Sequence, residues 1–257
     1  MHQQLVRHLA ADTTEVAATP ADLQAAIQRG GRLRVQTVNL HHVELAQSSA
    51  DFRTALVEAD LLTADGWPVV RTMRALGRTV ERVTGSELTA ALLDSATLPG
   101  VHRVGLLGAT VEAGDTFSRL MTQAGRHLGY REHGRHGDWS ARELLAAIEA
   151  AELDLLLVAV TPPAGDLVAA ELVRAGLEVP VVPVGGSVDM LCGITRRAPG
   201  WVGRLGMEWL FRFAQEPRRL FRRYFVGGLG TFVGVLGPVL IGVKGPQVLD
   251  GRAEPQA

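Results

Sequence analysis

Asp65 is a carboxylate set between an apolar run, Leu61–Thr63, and a helix-period segment that begins near Trp67. An acid at the carboxyl end of a strand can accept a proton from an attacking hydroxyl when partial burial tunes its basicity. The same Asp-Gly pair also suits a plain turn, so the position alone leaves both readings open. Gly185-Gly186-Ser187 follows another apolar run, and Asp189 stands two residues further on. Glycines there would let the backbone approach a ligand closely, and N–H groups at a helix start favour phosphate. An ordinary strand-to-helix turn would use the same residues. Two more polar clusters, Thr37-Val38-Asn39 and Gly108-Ala109-Thr110, close further apolar runs. Neither GxGxxG nor GxxxxGK[ST] occurs, so the chain carries neither a dinucleotide fingerprint nor a Walker loop.

A second chemical feature is a concentration of positive charge. Between Arg196 and Arg223 lie eight arginines against two acids, Glu208 and Glu216, a local charge of +6 in a chain whose net charge is −1. Arg218, Arg219, Arg222 and Arg223 have the spacing of one helix face. Leu210, Phe211, Phe213, Leu220, Phe221, Tyr224 and Phe225 interleave with the basic residues, which makes a segment suited to an anionic membrane surface. Nucleic acid is the rival partner. The uncharged run Phe225–Val243 that follows favours lipid and argues against nucleic acid. That run holds six glycines and one proline, so it is expected to insert at the interface or pack on the domain. A spanning helix needs about 20 predominantly apolar residues. His127, His133, His136 and the His41-His42 pair share no metal-ligand spacing with cysteines or carboxylates, so no metal is expected. The single Cys192 excludes an internal disulfide and reads as an inert thiol on an apolar helix face.

The elements that must position these residues follow from periodicity. In 257 residues, 47% apolar and 21% charged, short apolar runs alternate with helix-period segments, the pattern of a parallel sheet covered by helices. Strands are predicted at Arg34–Val38, Leu61–Thr63, Val101–Leu107, Asp154–Val160 and Val179–Val184. Helices are predicted at 22–29, 41–58, 67–77, 86–96, 111–127, 140–151, 166–175 and 201–213. Ser140 followed by Glu143 has the form of a capping box. The fold class expected is α/β: a Rossmann-like parallel sheet flanked by helices, with a helical basic and apolar C-terminal appendage. Residues 1–195 form the Rossmann-like domain in this reading, and 196–257 the membrane-associating appendage and tail. The N-terminus lacks the apolar core of a secretory signal. Ligands of such folds collect at the carboxyl ends of strands. The four polar clusters therefore predict one cleft built from distant parts of the chain.

Taken in order, the motifs resemble the WecG/TagA/CpsF family, glycosyltransferase family 26. They are Thr37-Val-Asn39, Ala64-Asp-Gly66, Glu81-Arg-Val-Thr-Gly-Ser-Glu-Leu88, Leu106-Leu-Gly108, His136-Gly137 and Asp154-Leu-Leu-Leu-Val158. After them come the GGS-x-D of 185–189, Arg197-Ala-Pro199, Trp201, Gly206-x-Glu208-Trp209-Leu210 and Glu216-Pro-Arg-Arg-Leu220. The resemblance implies an inverting, metal-independent transfer of an N-acetylhexosamine, or its uronic acid, from a UDP-sugar donor. The implied acceptor is a polyprenyl-diphosphate-linked sugar at the cytoplasmic face of the membrane, with the protein peripheral there and able to form a homo-oligomer. By position, Asp65 is the implied general base with Thr37 and Asn39 beside it. Gly108, Gly186, Ser187 and Asp189 fall in the nucleotide-sugar site, and Arg212, Arg219 and Arg222 would neutralise diphosphate. No cofactor is implied.

One stretch departs from the family. Where it typically reads Gly-Ala-Pro-Lys-Gln-Glu-x-Trp, this chain has Thr161-Pro-Pro163-Ala-Gly-Asp166-Leu-Val168. Gly165 thus stands for Gln and Asp166 for Glu. The lost amide and ammonium are expected to face the cleft, and Val188 replaces the phenylalanine of GGSFD. The departure motivates two alternatives. One is a specialised transferase acting on a soluble secondary metabolite, and the other a non-catalytic protein that binds a nucleotide-sugar or lipid phosphate.

Overall fold

The structure, a computed structural model, describes residues 14–134, 136–194, 229–231 and 233. In chain order the elements are α1 (Pro20–Gln28), β1 (Leu33–Val38), α2 (Leu40–Ser48), α3 (Ala50–Val57), β2 (Leu61–Ala64), α4 (Trp67–Ala75) and α5 (Gly85–Ala91). Next come β3 (Arg103–Gly108), α6 (Val111–Gln123), β4 (His127–Glu132), α7 (Ala141–Ala150), β5 (Leu155–Ala159), α8 (Ala164–Arg174), β6 (Pro180–Pro183) and α9 (Ser187–Leu191). A short turn of helix, α10 (Leu229–Thr231), comes last among the described residues.

The six strands make one sheet in the order β2-β1-β6-β5-β3-β4, with every pairing parallel. This is the expected α/β, Rossmann-like arrangement. Alternation along each strand sorts side chains to two faces. Val35, Leu61, Val104, Leu106, Leu155, Leu157 and Val182 pack with α1, α5, α6 and α9 through Ile27, Leu88, Phe117, Met121 and Val188. On the other face Val38, Leu62 and Ala64 meet Val43, Phe52, Leu56 and Met73 of α2 to α4. There too Leu107, Leu156, Val158 and Val181 meet Leu144, Ile148, Val168 and Leu172 of α7 and α8. With both faces covered, the strands read as continuous apolar runs. The β2 edge is covered by residues 15–17, where Ala17 N–H donates to Leu62 O and Leu62 N–H to Glu15 O, each at 2.9 Å.

Three local expectations are corrected. The helix predicted at 111–127 stops at Gln123, because Gly125 adopts a left-handed φ of 73°. Around it Gly125 N–H donates to Thr122 O (3.0 Å) and Arg126 N–H to Met121 O (2.8 Å), the paired bonds of a Schellman ending. The chain then forms β4 from His127, a sixth strand at the sheet edge. Its polar, half-exposed side chains carry no apolar run to announce it. The single helix predicted at 41–58 is two helices, because extended Ser49 ends α2 and caps α3, accepting from Phe52 N–H at 3.2 Å. At Ser140 the cap is present, with Glu143 N–H donating to Ser140 Oγ at 3.5 Å. The reciprocal Glu143 bond that would complete a capping box does not form.

The predicted helix at 201–213, the basic block and Arg212, Arg219 and Arg222 lie outside the described residues. Within the apolar run, Thr231 is buried and its Oγ1 accepts from Gln47 Nε2 on α2 at 3.2 Å. Among the described residues no helix is long and apolar enough to cross a membrane.

Candidate active site

In a parallel sheet every strand ends on the same edge, and the strand order decides which ends are neighbours. Here β2, β1, β6, β5 and β3 lie side by side. Their carboxyl ends therefore bring together Asp65-Gly66, Asn39, Gly185-Gly186, Thr161 and Gly108-Ala109-Thr110. The four sequence clusters become one edge, although Thr37 and Asp189, their outermost members, are 152 positions apart. A separate cavity bordered by Gly30, Gly31, Val101, Asp154 and Pro180 sits at the amino ends of the strands, away from these groups.

Asp65 continues the β1–β2 ladder, its N–H donating to Val38 O at 2.8 Å. Its side chain is half-buried. Gly66 follows with φ 100°, a conformation that favours glycine and turns the chain into α4. Half-exposed Trp67 heads that helix, with the Arg71 guanidinium over its ring at 5.8 Å.

Asn39 caps α2. Its Oδ1 accepts from His41 N–H (3.0 Å) and His42 N–H (3.3 Å), while its own N–H donates to His42 Nδ1 at 3.1 Å. The cap uses the amide oxygen of Asn39 and not the amide nitrogen. Thr37 is buried within β1, in register with Thr63. Its hydroxyl reaches Pro183 O of β6 at 3.5 Å, so it ties two strands together just below the cleft edge.

On the β6 side, Ser187 Oγ donates to Val184 O at 2.6 Å and locks the turn. Asp189 Oδ1 accepts from Thr110 N–H (3.3 Å) and Thr110 Oγ1 (3.1 Å), a clasp between α9 and the β3–α6 turn. Gly108 has φ 84°, and a Cβ there would stand 2.8 Å from Ala159 O and 2.5 Å from Val160 Cγ2. Gly186 is different, with φ −78° and nothing within 4 Å of a Cβ. Cys192, at the end of α9, donates through Sγ to Ala113 O at 3.3 Å. Burial pushes its thiol up, and nearby Asp189 adds to the shift while Arg119 opposes it. Among the described residues no three of His, Cys, Asp and Glu are grouped to hold a metal ion.

The departing loop is placed unexpectedly. Pro162 Cδ lies 3.9 Å from where a Cβ of Gly185 would stand, so the start of the loop borders the GGS turn. Gly165 is buried so tightly that a Cβ would overlap the Val160 carbonyl oxygen. Asp166, 1% exposed, faces the core on the opposite side of the sheet from α5 and α9. There it meets Gln36 Nε2 at 2.6 Å and His42 Nε2 at 3.4 Å. Arg34 completes the cluster: it donates to Gln36 Oε1 at 3.4 Å and to the Ala55 carbonyl. Burial lowers Arg34 to about 10, an effect that the carboxylates of Asp60, Asp166 and Glu58 oppose. Reading the sequence did not reveal this buried cluster. Its one visible signal was the long polar residues at alternate positions, 34 and 36, between Leu33, Val35 and Val38 of a buried strand.

The family model of the glycosyl transferase WecG/TagA/CpsF family matches residues 6–241, nearly the whole chain. The chain belongs to this family. A glycosyltransferase fold of WecG/TagA/CpsF type thus underlies the shared cleft edge, and the resemblance read from the ordered motifs holds. The match extends through the basic block and most of the apolar run, so both are part of the family's common length.

Proposed function

We propose that this WecG/TagA/CpsF protein is an inverting, metal-independent glycosyltransferase. It moves an N-acetylhexosamine of the ManNAc or ManNAcA type from a UDP-sugar to a polyprenyl-diphosphate-linked sugar in cell-surface polysaccharide or teichoic-acid assembly. The observation that carries the reading is the single sheet edge on which Asp65, Asn39 and the GGS turn follow the successive strands β2, β1 and β6. A base at the end of β2 and a glycine turn at the end of β6, with only β1 between them, suit an in-line displacement. Asp65 takes the proton of the acceptor hydroxyl as its oxygen bonds to the anomeric carbon. The bond from that carbon to the UDP oxygen breaks, and UDP leaves with the electron pair. Backbone N–H groups near Gly186, and arginines 212, 219 and 222 brought to the cleft, would offset the charge that develops on UDP. The same arginines and the apolar run that follows fit an appendage, 196–257, docking on an anionic cytoplasmic membrane face.

A second reading, transfer to a soluble acceptor, draws on the departing loop, where Gly165 has no room for a side chain and Asp166 faces the core. One experiment separates the readings. Wild type and Asp65→Asn are incubated with a panel of UDP-N-acetylhexosamines, either with anionic vesicles carrying a polyprenyl-diphosphate-linked sugar or with soluble glycosides. The expected result is wild-type transfer on vesicles, co-sedimentation with them, and a loss of at least a hundredfold on substitution. UDP-sugar binding without turnover on any acceptor would favour a binding protein. Turnover on soluble acceptors alone would favour the second reading.

A further inference from the structure

The buried cluster behind the cleft has no part in the proposed chemistry, yet it touches a residue at the cleft edge. We propose that Asp166 and His42 are positioning residues that hold the Asn39 turn, and through it the Asp65 side of the cleft. The inference rests on the transferase reading only for its kinetic arm.

The path is short and directional. Asn39 N–H donates to His42 Nδ1 at 3.1 Å, so that nitrogen must offer a lone pair. The ring proton then sits on Nε2, which lies 3.4 Å from Asp166 Oδ1. A carboxylate this close to Nε2 favours the proton on that nitrogen through its charge, without a hydrogen bond, and so favours the tautomer that Asn39 requires. With the proton on Nδ1, two N–H groups would face each other and the Asn39 turn would have to move. The ring itself is clamped, stacked on Phe52 with centroids 5.9 Å apart and planes 16° from parallel. Asp166 is held in turn by Gln36 Nε2 at 2.6 Å, and Gln36 by Arg34.

The sequence around Asp166 serves the same contact. Gly165 lets the first turn of α8 press onto the Val160 carbonyl, closer than any side chain permits. That approach carries Asp166 down to the sheet, where it reaches β1 and α2. Asn39 follows Val38, whose carbonyl accepts the Asp65 N–H. A shift of the Asn39 turn is thus transmitted to the base. Misplacement by about an ångström costs a catalytic constellation on the order of a hundredfold.

The test uses the full-length protein with ¹⁵N-labelled histidine, and long-range ¹H–¹⁵N correlation, the His42 signals being those lost in His42→Phe. Wild type is expected to show His42 in the Nε2–H tautomer alone. Asp166→Asn is expected to populate the Nδ1–H tautomer and move the Asn39 amide resonance. An Nδ1–H tautomer in wild type overturns the proposal, as does an Asp166→Asn spectrum with His42 and Asn39 unchanged. For turnover, His42→Phe keeps the ring stack and removes the acceptor. Per folded molecule, its kcat should fall roughly tenfold to a hundredfold with KM for the UDP-sugar changed less than about twofold. An unchanged kcat per folded molecule indicates a purely structural role and overturns the proposal. Should wild type turn over nothing, the transferase reading falls, and the tautomer result still decides the positioning claim.

Discussion

Gly108 and Gly186 are both proposed to line the donor site, yet the structure gives them different physical surroundings, and alanine separates the two. At Gly108, alanine must adopt φ 84°, which costs an L-residue about 1–2 kcal/mol. Its methyl must also find room 2.8 Å from Ala159 O and 2.5 Å from Val160 Cγ2. The Ala159 carbonyl has little freedom to retreat, since it accepts the Ala109 N–H at 3.0 Å. Overpacking of this kind costs about 1–3 kcal/mol. The two effects together place Gly108→Ala at roughly 2–5 kcal/mol below wild type. For a chain of this size each kcal/mol lowers the melting temperature by about 2–4 °C, so a central loss of ~3 kcal/mol is a drop of about 6–12 °C. At Gly186, φ is −78° and nothing lies within 4 Å of the new methyl. Gly186→Ala should therefore melt within about 2 °C of wild type, the unfolded chain losing entropy as the native state gains little. Under the proposed function its effect belongs to the cleft, where the methyl would stand between backbone and phosphate and weaken UDP binding. Thermal melts of both variants, with UDP titrated calorimetrically, make the measurement. Equal melting temperatures for the two variants, or a Gly186→Ala protein several degrees less stable, would refute the reasoning.

Other consequences can be checked with simpler assays. Arg126 is buried and donates to Val101 O (2.9 Å), Leu92 O (2.8 Å), and the carbonyls of Asp94, Thr97 and Leu98, tying together the loop before β3. Arg126→Met keeps the apolar stem and orphans these carbonyls. It should cost about 2–4 kcal/mol, read as a lower urea midpoint at unchanged slope, and a shift below ~0.5 kcal/mol would contradict it. Cys192, its thiol raised chiefly by burial, should alkylate with iodoacetamide at least about tenfold more slowly in the native than in the unfolded protein at pH 7.5. A raised folded value means the fold favours the protonated thiol. Its contribution to stability is therefore complete at low pH and is lost as pH climbs through that value. Mass spectrometry across pH 7–10 follows the modification, and labelling at the free-thiol rate at pH 7.5 would show the site to be open.

Most of the fold can be read locally. Five of the six strands and the helices around them follow from apolar runs and helix-period segments, because each buries one face against a neighbour. The turn after β6 is equally visible, since Gly185-Gly186-Ser187 breaks an apolar run. What stayed hidden has a common cause. The β4 strand pairs on one side only and has a polar composition, so its existence depends on β3 and on the Schellman ending at Gly125. The split between α2 and α3 rests on one serine that both helices share.

The chain by itself determined the family, the α/β class and the four clusters that meet at one edge, because strand ends and turn chemistry are properties of contiguous residues. Only the tertiary structure decided which strand ends are neighbours, and it set Gly165 and Asp166 of the 161–168 departure against the core. In the sequence Asp166 stands only for a family glutamate, and its partner, Gln36, lies 130 positions earlier. Whether a carboxylate is solvated in a cleft or desolvated against an amide and an imidazole depends on what packs around it. That packing comes from segments that sequence proximity does not connect.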